Sequence, residues 1–417
     1  MTATAVIIGA SHAGSQLSLS LRQSGWQGDI LLLGDETYLP YHRPPLSKDY
    51  LGGELGPNDI LLRPAALYDK QGITLKLNHQ VLAIDRAKGL IEAVSDRGKQ
   101  VQFHYDKLAL CTGARVRTLN ISGANLKGVH YLRTLSDVEH IRTEIQPGSR
   151  GVIIGGGYIG LETAAMLRGI NCEVSVLEAA PQLLGRVAAP EIGAFYQALH
   201  EQHGVNLRTN AQANELLGED RVQQVVCADR TRLEADFVII GIGVIPNQEL
   251  AEQAGLDVND GIVVNKLAQT SDPNIVAAGD CTRFNHPLYG NIRLESVPNA
   301  TEQSKVAAAT LCGKQTAYAS LPWFWSDQYD CKLQIAGINR GYDEILVRGS
   351  TAVVAEPITS EQAPTFCVYY FREQQLIAAD CINRPKEFML AKMWLQKSYT
   401  PDKTKLVDDG YALTRDD

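Results

Sequence analysis

Residues 152–160 read Val-Ile-Ile-Gly-Gly-Gly-Tyr-Ile-Gly, and this stretch decides the fold. The β-branched run predicts a buried strand, and the glycines after it match the pattern G-x-G-x-x-G, which leads such a strand into a helix. The first glycine makes the tight turn, the second lets the backbone approach a pyrophosphate, and the third lets the helix pack on the strand. Amide groups at the start of the helix favour the phosphates. The pattern therefore predicts a dinucleotide site that includes Gly155, Gly157, Tyr158, Ile159 and Gly160.

An acidic residue ends the next strand of this βαβ unit. Glu178 follows the apolar run 174–177, at the position where a carboxylate binds the ribose 2′-hydroxyl of a dinucleotide. The 2′-phosphate of NADPH would meet this carboxylate, and residues 179–181 supply no cation, Arg186 being the nearest one. The sequence therefore predicts NADH as the nucleotide.

A second copy of the same pattern opens the chain. Residues 6–14 read Val-Ile-Ile-Gly-Ala-Ser-His-Ala-Gly, with Ser11 at the middle glycine of the motif. A serine is small enough to lie near a phosphate, and its hydroxyl can donate to one. The next strand, residues 30–33, leads to Asp35 at the ribose-binding position, with Glu36 beside it. The predicted cofactor contacts here are Gly9, Ser11, Gly14 and Asp35.

Each βαβ unit has later strands that end in glycine. Residues 107–113 end in Thr112-Gly113, residues 237–243 end in Gly243, and residues 275–280 end in Gly279-Asp280. Buried strands of this kind join a parallel sheet and bring their carboxyl ends to a bound ligand. Two nucleotide folds indicate two dinucleotides. If one is NADH, FAD is the expected second, because a flavin accepts hydride and releases single electrons.

The stretches between each βαβ unit and its closing strand have an alternating apolar pattern. They predict two antiparallel hairpins, residues 73–77 with 81–84 and residues 205–207 with 222–226. Aromatic-rich alternating strands from Leu321 onward predict an α+β domain. We expect the tail, residues 411–417, to be frayed.

Composition and charge exclude several classes of protein. Lys and Arg number 39 against 47 Asp and Glu, so the net charge is −8, which disfavours nucleic-acid binding. The longest apolar run, residues 237–245, is far shorter than the ~20 residues of a membrane-spanning helix. Residues 1–5 show no signal peptide, and the eight cysteines contain no CxxC or CxxxxC pair. We therefore expect a cytoplasmic protein with reduced cysteines, no metal site and no membrane contact.

At this level of detail the chain resembles the FAD-dependent ferredoxin reductases that serve bacterial oxygenases. The matching segments are spread over nearly the whole chain: residues 43–48 (RPPLSK), 131–135 (YLRTL), 155–162, 270–280, 295–300 (ESVPNA) and 322–328 (PWFWSDQ). The resemblance implies a glutathione-reductase-like α/β fold with two Rossmann-type dinucleotide-binding domains and a C-terminal α+β domain. The implied boundaries are 1–115 and 246–321 for a divided FAD domain, 116–245 for the NAD domain and 322–417 for the C-terminal domain.

The resemblance also implies which residues bind the flavin. By motif matching they are Ala13, Asp35, Lys48, Val81, Arg133, Asp280 and Val297, with Asp280 on the ribityl chain. Lys48 would lie near flavin N5 and pair with Glu162, and these two are the predicted catalytic residues. From the residues themselves, Ser47 can cap a short helix and place Lys48 just inside it, where the helix dipole disfavours a cation. A buried cation at that position needs an anionic partner.

The implied reaction passes electrons from NADH through FAD to a 2Fe-2S ferredoxin, and no side chain acts as nucleophile or general base. Such ferredoxins are acidic, so we expect a basic docking rim although the net charge is −8. Residues 380–405 contain six cations and three acids and could form this rim. A solvated helix face without a docking role is the alternative interpretation. Trp323 and Trp325 are candidates for the flavin-to-ferredoxin boundary, and core packing is their plainer role. A monomer or a weak dimer is expected.

Other activities of the same fold remain open. Disulfide reductases need CxxxxC beside the first helix, and NADH oxidases and peroxidases need a cysteine near position 40, but residues 15–110 contain no cysteine. The alternatives that remain are a rubredoxin reductase, an NADH oxidase without cysteine chemistry, and a redox-sensing signalling flavoprotein resembling apoptosis-inducing factor. The last is disfavoured because neither a targeting segment nor a long basic insert is visible.

Overall fold

The computed structural model describes residues 3–96, 98–352 and 364–417. Met1 and Thr2 of the predicted N-terminus, and residues 353–363 of the predicted C-terminal domain, lie outside this part of the chain. The chain divides into two compact units. The first comprises Met1–His42, Pro57–Arg115 and Val244–Pro322, and the second comprises Arg43–Gly56, Val116–Gly243 and Trp323–Asp417.

Five parallel strands form the central sheet of the first unit. In sheet order they are Ile275–Ala277, Lys107–Leu110, Thr4–Ile8, Asp29–Leu33 and Ile73–Lys76. Its central strand is apolar on both faces, and Ala5, Val6 and Ile7 are completely buried, as expected for a parallel sheet that is covered by helices. The helices of this unit are His12–Ser24, Ala65–Lys70, Glu249–Gln253 and Val297–Leu311.

Two smaller sheets complete the first unit. One is antiparallel, with the strands Gln80–Asp85, Leu90–Val94 and Gln100–His104. The other contains Ile262–Val264, Thr282–His286 and Gly290–Ile292. The short strands Ala114–Val116 and Val244–Pro246 lie where the chain passes from one unit to the other.

The second unit repeats the parallel sheet. Its strands, in sheet order, are Asn206–Arg208, Glu173–Leu177, Arg150–Ile154, Phe237–Ile240 and Val129–Tyr131. One face packs against a three-stranded antiparallel sheet, formed by Ala213–Leu217, Gln224–Cys227 and Arg232–Glu234, through buried residues such as Val152, Val225 and Val238. The helices around these sheets are Leu135–Glu144, Tyr158–Gly169 and Pro190–Gln202.

Both predicted hairpins are wrong in the same way. Ile73–Lys76 joins the parallel sheet beside Asp29–Leu33, and Asn206–Arg208 joins the other parallel sheet beside Glu173–Leu177. The later strand of each predicted pair instead belongs to an antiparallel sheet of three strands. An alternating pattern identifies a strand but not its partner, because side-chain alternation is common to both kinds of pairing.

The rest of the second unit is an antiparallel sheet with short helices. The strands, in sheet order, are Trp323–Gln328, Cys331–Gly337, Gln375–Ile382, Phe366–Arg372 and Glu344–Gly349. The helices are Asp49–Gly52, Pro385–Gln396 and Lys403–Val407, with a 3₁₀ turn at Pro44–Ser47. Among the described residues, none of the helices combines the length and apolar character that crossing a bilayer requires.

The expectation of a frayed C-terminal tail is wrong. Asp417 is only 6% exposed, and its carboxylate accepts hydrogen bonds from Lys405 Nζ at 2.6 Å and from the Thr414 amide at 2.7 Å. The buried guanidinium of Arg348 donates to the Tyr411 carbonyl oxygen at 2.7 Å. Residues 411–417 contain few apolar side chains, which is why the sequence suggested fraying. Hydrogen bonds to charged groups and to the backbone hold them in place instead.

Candidate functional site

The glycine loop of the second unit leaves open space at the start of a helix. Gly155 has a φ of +119°, and a Cβ there would lie 2.4 Å from the Gly241 carbonyl oxygen. A Cβ on Gly160 would lie 2.1 Å from the Gly155 carbonyl oxygen, so strand and helix pack too closely for a side chain. At Gly157, the N-cap of the helix Tyr158–Gly169, a Cβ would meet no heavy atom within 4 Å. The space beside these first helical amides is suited to an anion such as a pyrophosphate.

Glu178 holds this loop from the end of the neighbouring strand. Its Oε2 accepts a hydrogen bond from the Gly156 amide at 2.7 Å, and its Oε1 accepts one from the Ala180 amide at 2.8 Å. Because both oxygens accept from backbone amides, the carboxyl group is held in one orientation beside the glycine loop. Gly243, at the end of another strand of this sheet, has a φ of +98° and open space where a Cβ would be.

The glycine loop of the first unit has the same backbone geometry. Gly9 has a φ of +107°, and a Cβ there would lie 2.1 Å from the Cys111 carbonyl oxygen. A Cβ on Gly14 would lie 1.9 Å from the Gly9 carbonyl oxygen. Ser11 is the N-cap of the helix His12–Ser24, and its side chain makes no capping hydrogen bond. Ala13 lies in the first turn of that helix and is buried.

The predicted ribose-binding acids of the two units, Asp35 and Glu178, do not occupy equivalent positions after their strands. The Gly9 amide donates to the Leu33 carbonyl oxygen, and the Gly155 amide donates to that of Leu177, each at 2.8 Å. Gly34 therefore occupies the place in the first unit that Glu178 occupies in the second. Asp35, the predicted ribose-binding acid of this loop, comes one residue later and is exposed.

Other predicted flavin contacts collect at one edge of the first unit's parallel sheet. Thr112-Gly113 and Gly279-Asp280 follow adjacent parallel strands, so they lie at the same edge. Gly279 has a φ of +90°, and a Cβ there would lie 3.1 Å from the Ala13 Cβ, which brings this turn against the first glycine-loop helix. Val297 begins the helix Val297–Leu311, whereas Val81 lies on a separate antiparallel sheet.

The second unit brings Lys48 and Glu162 together as a largely buried ion pair. Lys48 Nζ lies 2.6 Å from Glu162 Oε2, and the two side chains are 16% and 5% exposed. Ser47 Oγ donates to the same oxygen at 2.6 Å, while Ser326 Oγ donates to Oε1 at 2.7 Å. Removing one partner of such a pair typically costs ~3–5 kcal/mol, because the other charge stays buried and unpaired.

The local backbone explains how Lys48 reaches this position. Lys48 lies between the 3₁₀ turn Pro44–Ser47 and the short helix Asp49–Gly52, with φ of −132° and ψ of −126°, rather than inside a helix. The expectation that Ser47 caps a helix is wrong, since its hydroxyl donates to Glu162 instead. Lys48 is the N-cap residue of that short helix, and the ion pair with Glu162 at 2.6 Å compensates its charge.

Three further predicted residues lie in the second unit. Arg133 precedes a capping box in which the Thr134 hydroxyl accepts from the Asp137 amide, and the Arg133 carbonyl oxygen accepts from Arg43 at 2.6 Å. Trp325 is partly buried with its ring 5.6 Å from that of Trp323. The Tyr158 ring lies 5.1 Å from the Phe324 ring, and its hydroxyl is buried without a hydrogen-bond partner. Ile159, beside it, is 42% exposed.

A buried acid in the C-terminal sheet was missed at the sequence level. Asp380 is 1% exposed, and burial raises the pKa of its carboxyl to about 7, with the hydrogen bond from Tyr370 opposing the shift. That bond, from the Tyr370 hydroxyl to Oδ2, is 2.5 Å long, while Oδ1 has no partner. The signal in the sequence is a single acid within the apolar strand run 376–382. Asp380 is therefore not one of the surface acids that oppose a basic rim.

Replacing Asp380 with Asn should stabilise the protein more at alkaline pH than at acid pH. The folded-state pKa near 7 exceeds the unfolded value of 3.8, so folded protein binds the extra proton, and this stability is lost as the pH rises from about 4 to 7. Asn stays neutral and removes a penalty of up to roughly 4 kcal/mol above pH 7. Thermal unfolding of FAD-loaded protein at pH 5 and 8.5 measures the difference, with the exposed Asp330→Asn as control. Equal shifts of Tm at both pH values would contradict the assignment.

The described residues fit two dinucleotides by their own geometry. Each unit has a glycine loop whose first glycine has a positive φ and whose third allows close packing, and each loop opens a helix. A Cβ on Gly157 would enter the open space beside the helix, and Glu178 places a carboxylate next to the same loop, as a ribose-binding acid requires. Two Rossmann-type folds in one chain are typical of a flavin- and pyridine-nucleotide-dependent oxidoreductase, which binds two dinucleotides.

Comparison with known proteins agrees with this class. Residues 3–304 match the pyridine nucleotide-disulphide oxidoreductase family, and residues 323–415 match the family of reductase C-terminal domains. Putidaredoxin reductase CamA of Pseudomonas putida is 44% identical over 98% of this chain and 95% of its own length. Ferredoxin–NAD(P)(+) reductase fdr of Sphingomonas sp. is 40% identical over 93% of this chain and 91% of its own length. Rubredoxin-NAD(+) reductase of Pseudomonas putida is 37% identical over 91% of this chain and 96% of its own length.

A solved structure matches over the same extent. The covalent putidaredoxin reductase–putidaredoxin complex contains a chain that is 43% identical, with a TM-score of 0.91 over 98% of this chain and 96% of that one. The chain belongs to the pyridine nucleotide-disulphide oxidoreductase family, together with the ferredoxin reductases. The predicted resemblance, the glutathione-reductase-like fold and the use of FAD and NADH are confirmed. The sequence also predicts particular similarity to putidaredoxin reductase, which the identity over nearly the full length confirms.

Proposed function

We propose that this chain passes electrons from NADH, through FAD, to a 2Fe-2S ferredoxin that supplies an oxygenase. The observation that carries the proposal is the 40–44% identity, over more than nine-tenths of the chain, to reductases of this kind. The sequence agrees, because no cysteine lies among residues 15–110, where the thiol-dependent members of the fold need one. When bound, FAD supplies the chemistry that converts a two-electron donor into a source of single electrons.

The chain's own residues bind, orient and provide charge. The first loop, with Gly9, Ser11, Ala13 and Gly14, would hold FAD together with Asp35, Thr112, Gly113, Gly279 and Asp280. Val81, Arg133, Val297 and Trp325 are further proposed flavin contacts. The second loop, with Gly155 to Gly160, Glu178 and Gly243, would hold NADH. Lys48 would bring a fixed positive charge to the flavin, and Glu162 would hold that charge in place.

The domain boundaries follow the same assignment. We propose that residues 1–115 and 246–321 form the FAD domain, 116–245 the NAD domain and 322–417 the C-terminal domain. Supporting this division, each of the two five-stranded parallel sheets carries one glycine loop, and the five-stranded antiparallel sheet begins at Trp323.

The state of the cysteines supports the proposal that the protein works in the reducing cytoplasm. All eight cysteines are free, and seven of them are buried.

The docking face is proposed to lie on the helix Pro385–Gln396. Three of the six cations counted from the sequence are paired: Arg384 with Asp409, Lys403 with Glu344 and Lys405 with Asp417. The other three are Lys386, Lys392 and Lys397, on or next to this helix. Lys392 Nζ lies 4.5 Å from the centre of the Trp323 ring, and Met389 is 60% exposed. This combination of cations and exposed apolar surface suits an acidic protein partner.

NADH-dependent reduction of cytochrome c should become at least ~10-fold faster when a 2Fe-2S ferredoxin is added. Because docking is electrostatic, kcat/KM for ferredoxin should fall as ionic strength rises, since salt screens exposed charges beyond ~10 Å at 0.1 M. Ferricyanide reduction serves as the control, as it needs no docking. Rapid NADH consumption with oxygen alone would indicate an oxidase.

A rubredoxin reductase is the second candidate, and the 37% identity to such an enzyme favours it. The same assay with rubredoxin in place of ferredoxin separates the two. A higher kcat/KM for rubredoxin would replace the proposed acceptor while leaving the NADH and FAD chemistry unchanged.

A further inference from the structure

A row of buried polar side chains continues from Glu162 to the edge of the C-terminal sheet. Ser326 Oγ, which bonds Glu162 Oε1, lies 3.1 Å from Gln328 Nε2. Gln328 Oε1 lies 2.9 Å from His200 Nε2, and His200 Nδ1 lies 3.3 Å from the Tyr329 hydroxyl. Ser326, Gln328 and His200 are at most 1% exposed, whereas Tyr329 is only partly buried. All of these residues belong to the second unit.

Chemistry fixes the direction of every bond in this row. A carboxylate only accepts, so the single hydroxyl hydrogen of Ser326 goes to Glu162, and Ser326 Oγ must accept from the amide of Gln328. Gln328 Oε1 then accepts from His200 Nε2–H, which leaves Nδ1 as the acceptor for the Tyr329 hydroxyl. Burial lowers the pKa of His200 to about 4, so the ring is neutral at pH 7, as this tautomer requires.

The far end of the row is held in an unfavourable backbone conformation. Tyr329 lies in the two-residue turn between the paired residues Gln328 and Cys331, with a φ of +51°. Left-handed backbone is uncommon for a bulky side chain and is usually occupied by Gly, Asn or Asp in such a turn. The Tyr329 ring stacks on His203 at 3.7 Å between centres and meets His200 edge-on at 5.1 Å. The turn thus places an aromatic hydroxyl on His200 at a cost in local strain.

We propose that His200 is a positioning residue for the Lys48–Glu162 pair, acting through Gln328 and Ser326. Four hydrogen bonds that all donate towards Glu162 polarise one another, which strengthens the last one and fixes the rotamer of the carboxylate. A fixed carboxylate in turn fixes the Lys48 ammonium at 2.6 Å. The inference rests on the proposed role of this pair in flavin reduction, but not on the identity of the electron acceptor.

Replacing His200 with Leu should loosen the pair without weakening NADH binding. The limiting rate of flavin reduction by NADH in stopped flow should fall about 10-fold, the effect of one weakened hydrogen bond to an ion, with the half-saturating NADH concentration unchanged within about twofold. Acetylation of Lys48 in the FAD-loaded protein without NADH, followed by mass spectrometry, should become about fivefold faster, because the amine is less firmly held. His200→Gln keeps a donor at the Nε2 position and should restore both values.

Two further variants control for packing and folding. His286→Leu removes an imidazole that is also buried, at 2% exposure, and should change neither the rate nor the labelling. If His200→Leu does not fold, Gln328→Met breaks the same row and should give the same two changes. Wild-type reduction and labelling in either folded variant would overturn the proposal, as would an equal loss in His286→Leu. Neither measurement contains an acceptor, so failure of the ferredoxin assay would leave both results unaffected.

Discussion

Replacing Lys48 with Met should slow the reduction of the bound flavin by NADH by about two orders of magnitude, the effect typical of losing one preorganised charge at a reaction centre. The side chains have similar length, so the change removes the ammonium group and little volume. Glu162 keeps its hydrogen bonds from Ser47 at 2.6 Å and Ser326 at 2.7 Å, and the carboxylate remains buried. Stopped-flow absorbance at the flavin band, with saturating NADH and no acceptor, measures the rate.

The double variant Lys48→Met with Glu162→Gln separates two explanations of that loss. In the single variant a carboxylate is left without its cation, and this new negative charge could itself slow the reaction. If the double variant is as slow as the single one, the Lys48 charge is what accelerates reduction. If the double variant recovers, the unpaired carboxylate caused the loss. A single variant that reduces at the wild-type rate would contradict a catalytic role for Lys48.

Local spacing made part of the site predictable from the sequence. A Cβ on Gly14 or Gly160 would meet the carbonyl oxygen of Gly9 or Gly155, five residues earlier, whereas Gly9 and Gly155 approach the distant residues Cys111 and Gly241. The glycines themselves are nevertheless spaced as in a known motif, so their pattern is visible in a short window. The position of Glu178 beside this loop was predictable for the same reason, since it follows the next strand of the same βαβ unit, and its contact with the ribose stays a prediction. The Lys48–Glu162 pair spans 114 positions in the chain, and only the resemblance to a family suggested it.

The predictions of burial and of strand pairing were wrong in places, because both depend on distant parts of the chain. Ile73–Lys76 has an alternating pattern that fits an antiparallel hairpin, yet it pairs in parallel with Asp29–Leu33. Asp380 was counted as a surface acid because its charge, rather than its apolar neighbours in the strand, guided the interpretation. His200 lies in a helix whose sequence does not show that its ring meets Gln328 on a different element. Side-chain networks of this kind arise from packing of the whole domain, which no local pattern encodes.

The wild-type protein should prefer NADH over NADPH by at least ~100-fold in kcat/KM. At ~4 Å two like charges repel by about 4 kcal/mol at an effective dielectric constant of 20, and a 2′-phosphate would bring up to two negative charges to the Glu178 carboxylate. The carboxylate cannot turn away easily, because its oxygens accept from the Gly156 and Ala180 amides at 2.7 and 2.8 Å. Since the loop holds the carboxylate in place, the 2′-phosphate of NADPH cannot avoid its charge, and NADPH should bind less well than NADH.

Replacing Glu178 with Ala should reduce that preference to about 10-fold or less. Activity with NADH should fall about 10-fold, because the ribose loses a charged acceptor, while activity with NADPH should rise as the repulsion disappears. Glu173→Ala, at the exposed start of the same strand, should leave both values unchanged and controls for general effects of losing a negative charge. Initial rates with ferricyanide as acceptor measure kcat/KM for both nucleotides without involving protein docking. Equal use of NADH and NADPH by the wild type would show that Glu178 does not meet the ribose, and a preference unchanged in Glu178→Ala would place the discrimination elsewhere in the loop.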